Sequence, residues 1–252
     1  MDFLNQPSVW DESFGEVYAR THAPNHSAHG DQQEADFVLR VAGAQPGDRL
    51  LDCPCGFGRH ANIIAQKGYS VVGVDRSADQ LREAHRRGGE VTQAPEYIQG
   101  DYRELDFPDA SFDAIACLSS SLGYLDIAGD LQVLTEFKRL LRPGRRLVLE
   151  LGHRDFYIRT FMPKTVTRLG DGGLYVKERQ WDPRASTVHT THTMLEPAGQ
   201  FKTWENSHRF SDVATWEKLL RQAGFTQIDT RSGFSDIDIT QDFSQRAVFI
   251  AS

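Results

Sequence analysis

A chain of 252 residues with 39% hydrophobic side chains, 25% charged ones and 15 phenylalanines has the apolar material for one large packed core, which excludes global disorder. Its 28 basic and 35 acidic side chains leave a formal charge of −7, so no overall positive field draws phosphate backbones and nucleic acid is disfavoured as a partner. Three cysteines (Cys53, Cys55, Cys117) exclude a disulfide scaffold, and no cationic leader or long apolar run signals secretion or a membrane span, so the expectation is a cytoplasmic protein.

From Ser8 to Thr21, Trp10, Phe14, Val17 and Tyr18 recur at helical spacing behind a serine that can cap the start. A polar loop, His22 to Gly30, leads to a second helical pattern at Glu34, Phe37, Val38 and Val41 that ends near Gln45-Pro46-Gly47. Arg49 to Asp52 then reads as a strand, Gly56-Phe57-Gly58 as a turn, Arg59 to Lys67 as a helix, Ser70 to Val74 as a strand and Ser77 to Arg87 as a helix. Further strands are expected at Glu96–Gln99, Phe112–Leu118 and Arg146–Leu151, with a helix at Asp130–Leu141 between the last two. Strands alternating with helices imply right-handed crossovers and a parallel sheet covered on both faces.

Between Thr165 and Phe210 the pattern becomes all strand: Thr165–Leu169, Leu174–Trp181, Thr187–Leu195 and Phe201–Phe210, separated by Gly- and Pro-rich turns. Tyr175, Lys177, Arg179 and Trp181 alternate with Val176, Glu178 and Gln180, so one face of this antiparallel block meets the α/β scaffold or a second copy in a homodimer. The scaffold resumes with a helix at Asp212–Ala223 and two strands, Thr226–Arg231 and Arg246–Ala251. The division expected is residues 1–153 and 211–252 as the α/β domain, with 1–33 as a lid helix and loop, and 154–210 as the insertion.

The segment Leu50 to Ala61 is a strand, a glycine turn and a helix start, satisfying G-x-G-x-x-A at Gly56, Gly58 and Ala61. Asp52 stands at the strand's carboxyl end, where a pyrophosphate would be repelled and where a carboxylate suits an ammonium, such as that of the methionine part of S-adenosylmethionine. This argues against the rival reading, a nicotinamide-dependent oxidoreductase. Asp75 ends the next strand nineteen residues beyond Gly56, a spacing at which a carboxylate accepts bonds from the two hydroxyls of a ribose. Asp101, after the third strand, can accept from an adenine amino group while Tyr102 or Leu118 covers the ring.

As a set, Leu51-Asp52 to Gly56-Phe57-Gly58, Gly73-Val74-Asp75-Arg76-Ser77, Gly100-Asp101-Tyr102, Phe112-Asp113-Ala114-Ile115 and Leu140-Leu141-Arg142-Pro143-Gly144 resemble the class I S-adenosylmethionine-dependent methyltransferases. The resemblance covers roughly residues 34–153 and, more loosely, 212–251. It implies an α/β, Rossmann-like open and mostly parallel seven-stranded sheet with an inserted antiparallel β subdomain. It implies S-adenosylmethionine as cofactor, the methionine end held by Asp52, Gly56 and Gly58, the ribose by Asp75 beside Arg76, and the adenine by Asp101 with Tyr102, Leu118 being the other candidate cover for the ring. The insertion resembles that of the small-molecule branch, where it covers the acceptor, and the reaction implied is methyl transfer to nitrogen or oxygen of a small molecule. Cys53-Pro54-Cys55 departs from what many members carry there.

Such a transfer is an in-line displacement in which positioning supplies much of the rate, and a base is needed only where the acceptor carries a proton. His153, just beyond the Arg146–Leu151 strand, is the first candidate for base or acceptor-orienting group, the alternative being a solvated loop histidine. Tyr18 is a candidate lid residue over the cofactor, though helix packing explains its spacing equally well. His22, His26 and His29 do not make a metal site, because Pro24 and Gly30 interrupt a regular helix and no carboxylate cluster completes the set. An RNA methyltransferase, and a protein that binds the cofactor without transferring its methyl group, remain the alternatives.

Overall fold

β-Branched and leucine-rich runs with no polar face require cover on both sides, and the chain supplies it with helices of about three turns. A computed structural model describes residues 13–22, 26–89, 94–242 and 244–252. The first helix is α1 (Glu16–His22), followed by α2 (Ala28–Ala42), β1 (Arg49–Asp52), α3 (Arg59–Gln66), β2 (Ser70–Asp75), α4 (Ala78–Gly88) and β3 (Glu96–Gln99). Then come β4 (Phe112–Cys117), α5 (Ile127–Leu140), β5 (Leu141–Gly152) and α6 (Arg154–Arg159). The four strands β6 (Lys164–Arg168), β7 (Leu174–Asp182), β8 (Thr187–Leu195) and β9 (Phe201–Arg209) precede α7 (Val213–Gln222), β10 (Ile228–Ser232) and β11 (Arg246–Ala251).

The main sheet has the order β10-β11-β5-β4-β1-β2-β3. Strands β1 to β5 pair in parallel, and β11 runs antiparallel to both β5 and β10. One face packs Leu51, Ile115, Leu147 and Phe249 against Val133 and Phe137 of α5 and Leu219 and Leu220 of α7. The other packs Leu50, Val71, Ala116 and Val148 against Phe37 and Val38 of α2 and Ile64 of α3. Burial on both faces is what a parallel sheet demands, and the chain meets it by reversing its direction across the sheet after β3, which leaves α2 and α3 on one face and α5 and α7 on the other. β6 to β9 form a separate antiparallel meander.

The expected elements match within a few residues, and the differences have local causes. The helix expected from Ser8 bends at Gly15 before α1, while Ser8 and Trp10 lie outside the described residues. The polar loop ends earlier than Gly30, because Ser27 caps α2 by accepting the Gly30 N–H at 3.1 Å. Likewise Asp126 accepts the Gly129 N–H at 2.7 Å and starts α5 three residues before the expected position. The strand expected at Arg146–Leu151 extends over Leu141–Gly152. Helix α6 was not expected: it lies in the insertion 154–210 ahead of the segment read as strand, and at six residues it is too short for a periodicity to show.

Candidate active site at the carboxyl edge of the sheet

The chain leaves β1 toward β2 and β3 and later returns to β4 on the other side of β1, so a crevice opens at the carboxyl ends of β1 and β4. Asp52, Asp75 and Asp101 stand at the ends of β1, β2 and β3, and all three line this one cavity. Tyr18, Gly56, Arg76, Tyr102 and Leu118 line it too. Of the cofactor-binding and catalytic residues expected from the sequence, Gly58 and His153 do not.

Each acid is held differently. Asp75 is buried, its Oδ2 accepting the Gly56 N–H at 2.8 Å and its Oδ1 the Ser77 N–H at 2.9 Å. It thereby clamps the glycine turn to the start of α4. Burial raises its carboxyl above the usual range, against the pull of those N–H groups. Asp101 takes the Arg103 guanidinium at 2.6 Å, and Arg76 lies 3.7 Å away. Burial opposes ionisation there, but the Arg103 bonds prevail and hold the carboxyl below its usual range. Asp52 is only 3% exposed and its Oδ2 has no hydrogen-bond partner. Burial pushes this carboxyl up to about 7, with the nearby Arg59 pulling the other way.

An orphaned buried carboxylate oxygen at the wall of a cavity is costly unless a donor completes it. A ligand ammonium is such a donor, so the residues present fit the amino-acid end of S-adenosylmethionine. Gly56 adopts φ +53°, so its N–H points at Asp75 without strain. Gly58, at φ +72°, serves a close approach: a Cβ there would meet the Tyr97 hydroxyl, and would lie 2.9 Å from the Ala84 Cβ. His153 caps α6, accepting the Phe156 N–H at 3.4 Å, and lines neither this cavity nor the next.

A second cavity adjoins the first, sharing Tyr18, His26 and Ser119 with it. The rest of its wall includes His22, Glu150, Phe156, Tyr157, Phe210 and Arg246. Helix α1 contributes Tyr18 to the shared wall, and its segment is tied on both sides. Toward the sheet domain, Gln80 of α4 donates from Nε2 to the Phe14 carbonyl at 2.9 Å and the Gly15 carbonyl at 3.3 Å. Toward the meander, Arg20 donates to Glu196 at 2.9 Å and to Asp171 at 2.5 Å, and Lys177 reaches His22 at 3.3 Å. The Tyr175 and Lys177 face of β7 therefore meets α1, with Val17 packed on the buried cluster of Leu169, Tyr175, Met194 and Trp204. Tyr18 stacks on His22 with centroids 4.2 Å apart. Burial, reinforced by Lys177, drops the His22 imidazole to about 3, so it is neutral at neutral pH.

Arg59, Gln80 and Ser119 are among the wall residues given no site role in the sequence, and His26 was weighed there only as a metal ligand. Gln80 had a signal, because Ser77-x-x-Gln80 is a capping-box pattern. Ser77 does accept the Gln80 N–H at 3.3 Å. The Gln80 side chain, however, turns away to the segment before α1, leaving its buried Oε1 unpartnered at the cavity wall. Among the described residues, no group of three or more His, Cys, Asp or Glu is placed to hold a metal ion, and no helix is long and apolar enough to cross a membrane.

Residues 50–144 match a family model described as a methyltransferase domain. A demethylmenaquinone methyltransferase of Beutenbergia cavernae is 30% identical over 170 residues, covering 62% of this chain and 68% of that protein. The CcbJ methyltransferase of Streptomyces caelestis shares the fold with a TM-score of 0.78 at 19% identity, over 95% of this chain and 97% of that one. S-adenosylmethionine-bound CalS10, an amino pentose methyltransferase of Micromonospora echinaspora, shares it with a TM-score of 0.68 at 22% identity, over 94% and 96% of the two chains.

Proposed function

Because the chain belongs to the class I S-adenosylmethionine-dependent methyltransferases, we propose that it methylates a nitrogen or oxygen of a small molecule held in the second cavity. The observation that carries this reading is the wall shared by the two cavities, Tyr18, His26 and Ser119. A donor in one cavity and an acceptor in the other would meet there. The cofactor supplies a methyl group on a sulfonium, already activated for displacement.

The residues around it bind and orient. Asp52 would take the ammonium, Asp75 with Arg76 beside it the ribose, and Asp101, Tyr102 and Leu118 the adenine. Gly56 would let the backbone approach, and Gly58 would shape the turn from beneath. Tyr18 would cover the reacting centre from α1 and exclude water. Residues 154–210 would act as the acceptor's cover, with α1 as the lid that they hold down. The quinone and amino-sugar acceptors named for relatives and fold neighbours are small molecules as well. Incubation with S-adenosylmethionine and a small-molecule pool is expected to yield S-adenosylhomocysteine together with a methylated compound of low mass. Transfer to RNA alone would overturn the reading.

A pH dependence follows from Asp52. Free, it is half protonated near pH 7; paired with an ammonium, it must be ionised. Binding below that pH therefore releases a proton, and affinity falls by up to tenfold per pH unit as pH drops. Above about pH 8 the ligand's own α-amino group loses its charge. Calorimetry should show the tightest binding between these limits, and Asp52→Asn should flatten the acidic limb. An acidic limb unchanged in Asp52→Asn would remove the ammonium from Asp52.

A further inference from the structure

Glu150, near the end of β5, is 1% exposed and lines the second cavity. Its Oε2 accepts the Ser119 N–H at 2.5 Å, from a turn in which Ser119 and Ser120 both adopt positive φ. Its Oε1 has Arg246 Nε at 3.8 Å. That guanidinium is committed elsewhere, since Arg246 Nη1 binds Glu34 at 2.6 Å. Arg59, the other cation of this cluster, binds Glu34 at 2.5 Å and Asp31 at 2.8 Å.

Three carboxylates, Asp31, Glu34 and Glu150, thus share two guanidinium groups. His60 bonds Glu34 at 2.9 Å but does not make up the difference, because burial drops it to about 4 and leaves it neutral. His26, 3.8 Å from Asp31, is also held below its ordinary value by burial. One negative charge is left over among them, and of the three carboxylates Glu150 is the one that lines the second cavity. The same cavity is lined by aromatic rings: Tyr157 and Phe210, stacked 4.2 Å apart, with Tyr18 and Phe156. A carboxylate set among aromatic faces is a receptor for an organic cation.

Taking the second cavity as the acceptor site, as proposed above, we infer that the acceptor is a basic amine and that Glu150 anchors its ammonium and removes its proton. The ammonium transfers one proton to the Glu150 carboxylate, giving a neutral amine and a carboxylic acid. The amine lone pair then forms the bond to the methyl carbon while the carbon–sulfur bond breaks and its electron pair stays on sulfur. The product leaves as an N-methylammonium, and Glu150 returns its proton to solvent. Burial holds the Glu150 carboxyl above the usual range, against the opposing pull of Arg246 on β11 and Arg59 on α3 and with Glu34 on α2 reinforcing it, which suits a proton acceptor.

The test uses the full chain and a matched probe set of benzylamine, benzyl alcohol, phenol and phenylacetate. Binding is read by calorimetry on protein loaded with S-adenosylhomocysteine, and turnover by formation of that product from S-adenosylmethionine. Benzylamine should bind and be methylated in preference to the other probes. Glu150→Gln, which keeps an acceptor for the Ser119 N–H, should lose benzylamine binding and at least about 100-fold in kcat/KM, while cofactor affinity stays within twofold. Preference for phenol, alcohol or carboxylate, or a Glu150→Gln enzyme with unchanged benzylamine kinetics, overturns the amine assignment and leaves the methyltransferase reading standing. Failure of the wild-type protein to bind the cofactor would strike that reading instead.

Discussion

Asp75→Ala is expected to weaken S-adenosylmethionine binding by roughly 100-fold. Two hydrogen bonds from ribose hydroxyls to an ionised acceptor contribute about 1.5–3 kcal/mol each, and losing most of that corresponds to two decades in Kd. The carboxylate is already desolvated in the free protein, so binding recovers these bonds at little further cost. Asp75 also accepts the N–H groups of Gly56 and Ser77, and alanine leaves both without that partner. Part of the lost affinity will therefore come from a looser glycine turn. Asp75→Asn separates the two contributions, because its amide oxygen can still hold one of the N–H groups while offering the ribose a weaker acceptor. Calorimetry measures affinity and circular dichroism the fold; binding within twofold of wild type in the alanine variant would remove the ribose from Asp75.

The second large effect is on stability. Gly58→Ala asks a left-handed residue to carry a Cβ, which costs about 1–2 kcal/mol by itself. It also drives that Cβ into the Tyr97 hydroxyl and to within 3.0 Å of Asn62 Nδ2. These groups are not free to retreat, since Tyr97 donates to Asn62 Oδ1 at 3.0 Å and Asn62 donates to the Ala84 carbonyl at 3.2 Å. The sum is about 3 kcal/mol, which for a chain of this size lowers Tm by roughly 6–12 °C. A thermal melt within two degrees of wild type, a shift of about 1 kcal/mol or less, would show that the turn adjusts freely. Gly43→Ala is the comparison, because it has φ +68° with nothing within 4 Å of the added atom. It should lose only the backbone part.

These two positions show what the sequence carried. Gly58 was legible as a turn residue because the G-x-G spacing demands left-handed backbone, but its neighbour across the turn, Tyr97, sits on β3 and no spacing rule links them. Asp52, Asp75 and Asp101 were legible because each ends a strand, and parallel strands put their carboxyl ends on one edge. The second cavity was not. Its wall joins Tyr18 of α1, Glu150 of β5, Tyr157 of α6 and Arg246 of β11, residues distant in sequence that meet through the antiparallel pairing of β5 with β11 and the docking of α1.

His153 illustrates the same limit. Its place after β5 marked the correct edge of the sheet, yet the next residues turn into α6 and the ring caps that helix. Glu150, two residues inside the strand's end, faces the cavity instead. In a strand read as a buried apolar run, a single glutamate offered no period to interpret. Its partners are brought by α2, α3 and β11, so its charge balance became visible only in three dimensions.

The most direct measurement is a crystal structure of the protein with S-adenosylhomocysteine. The amino group is expected on Asp52, the ribose on Asp75, the adenine beside Asp101, and the sulfur facing the wall formed by Tyr18, His26 and Ser119, open to the second cavity. A ligand whose sulfur faces away from that wall, or one that leaves Asp52 and Asp75 without contact, would contradict this placement.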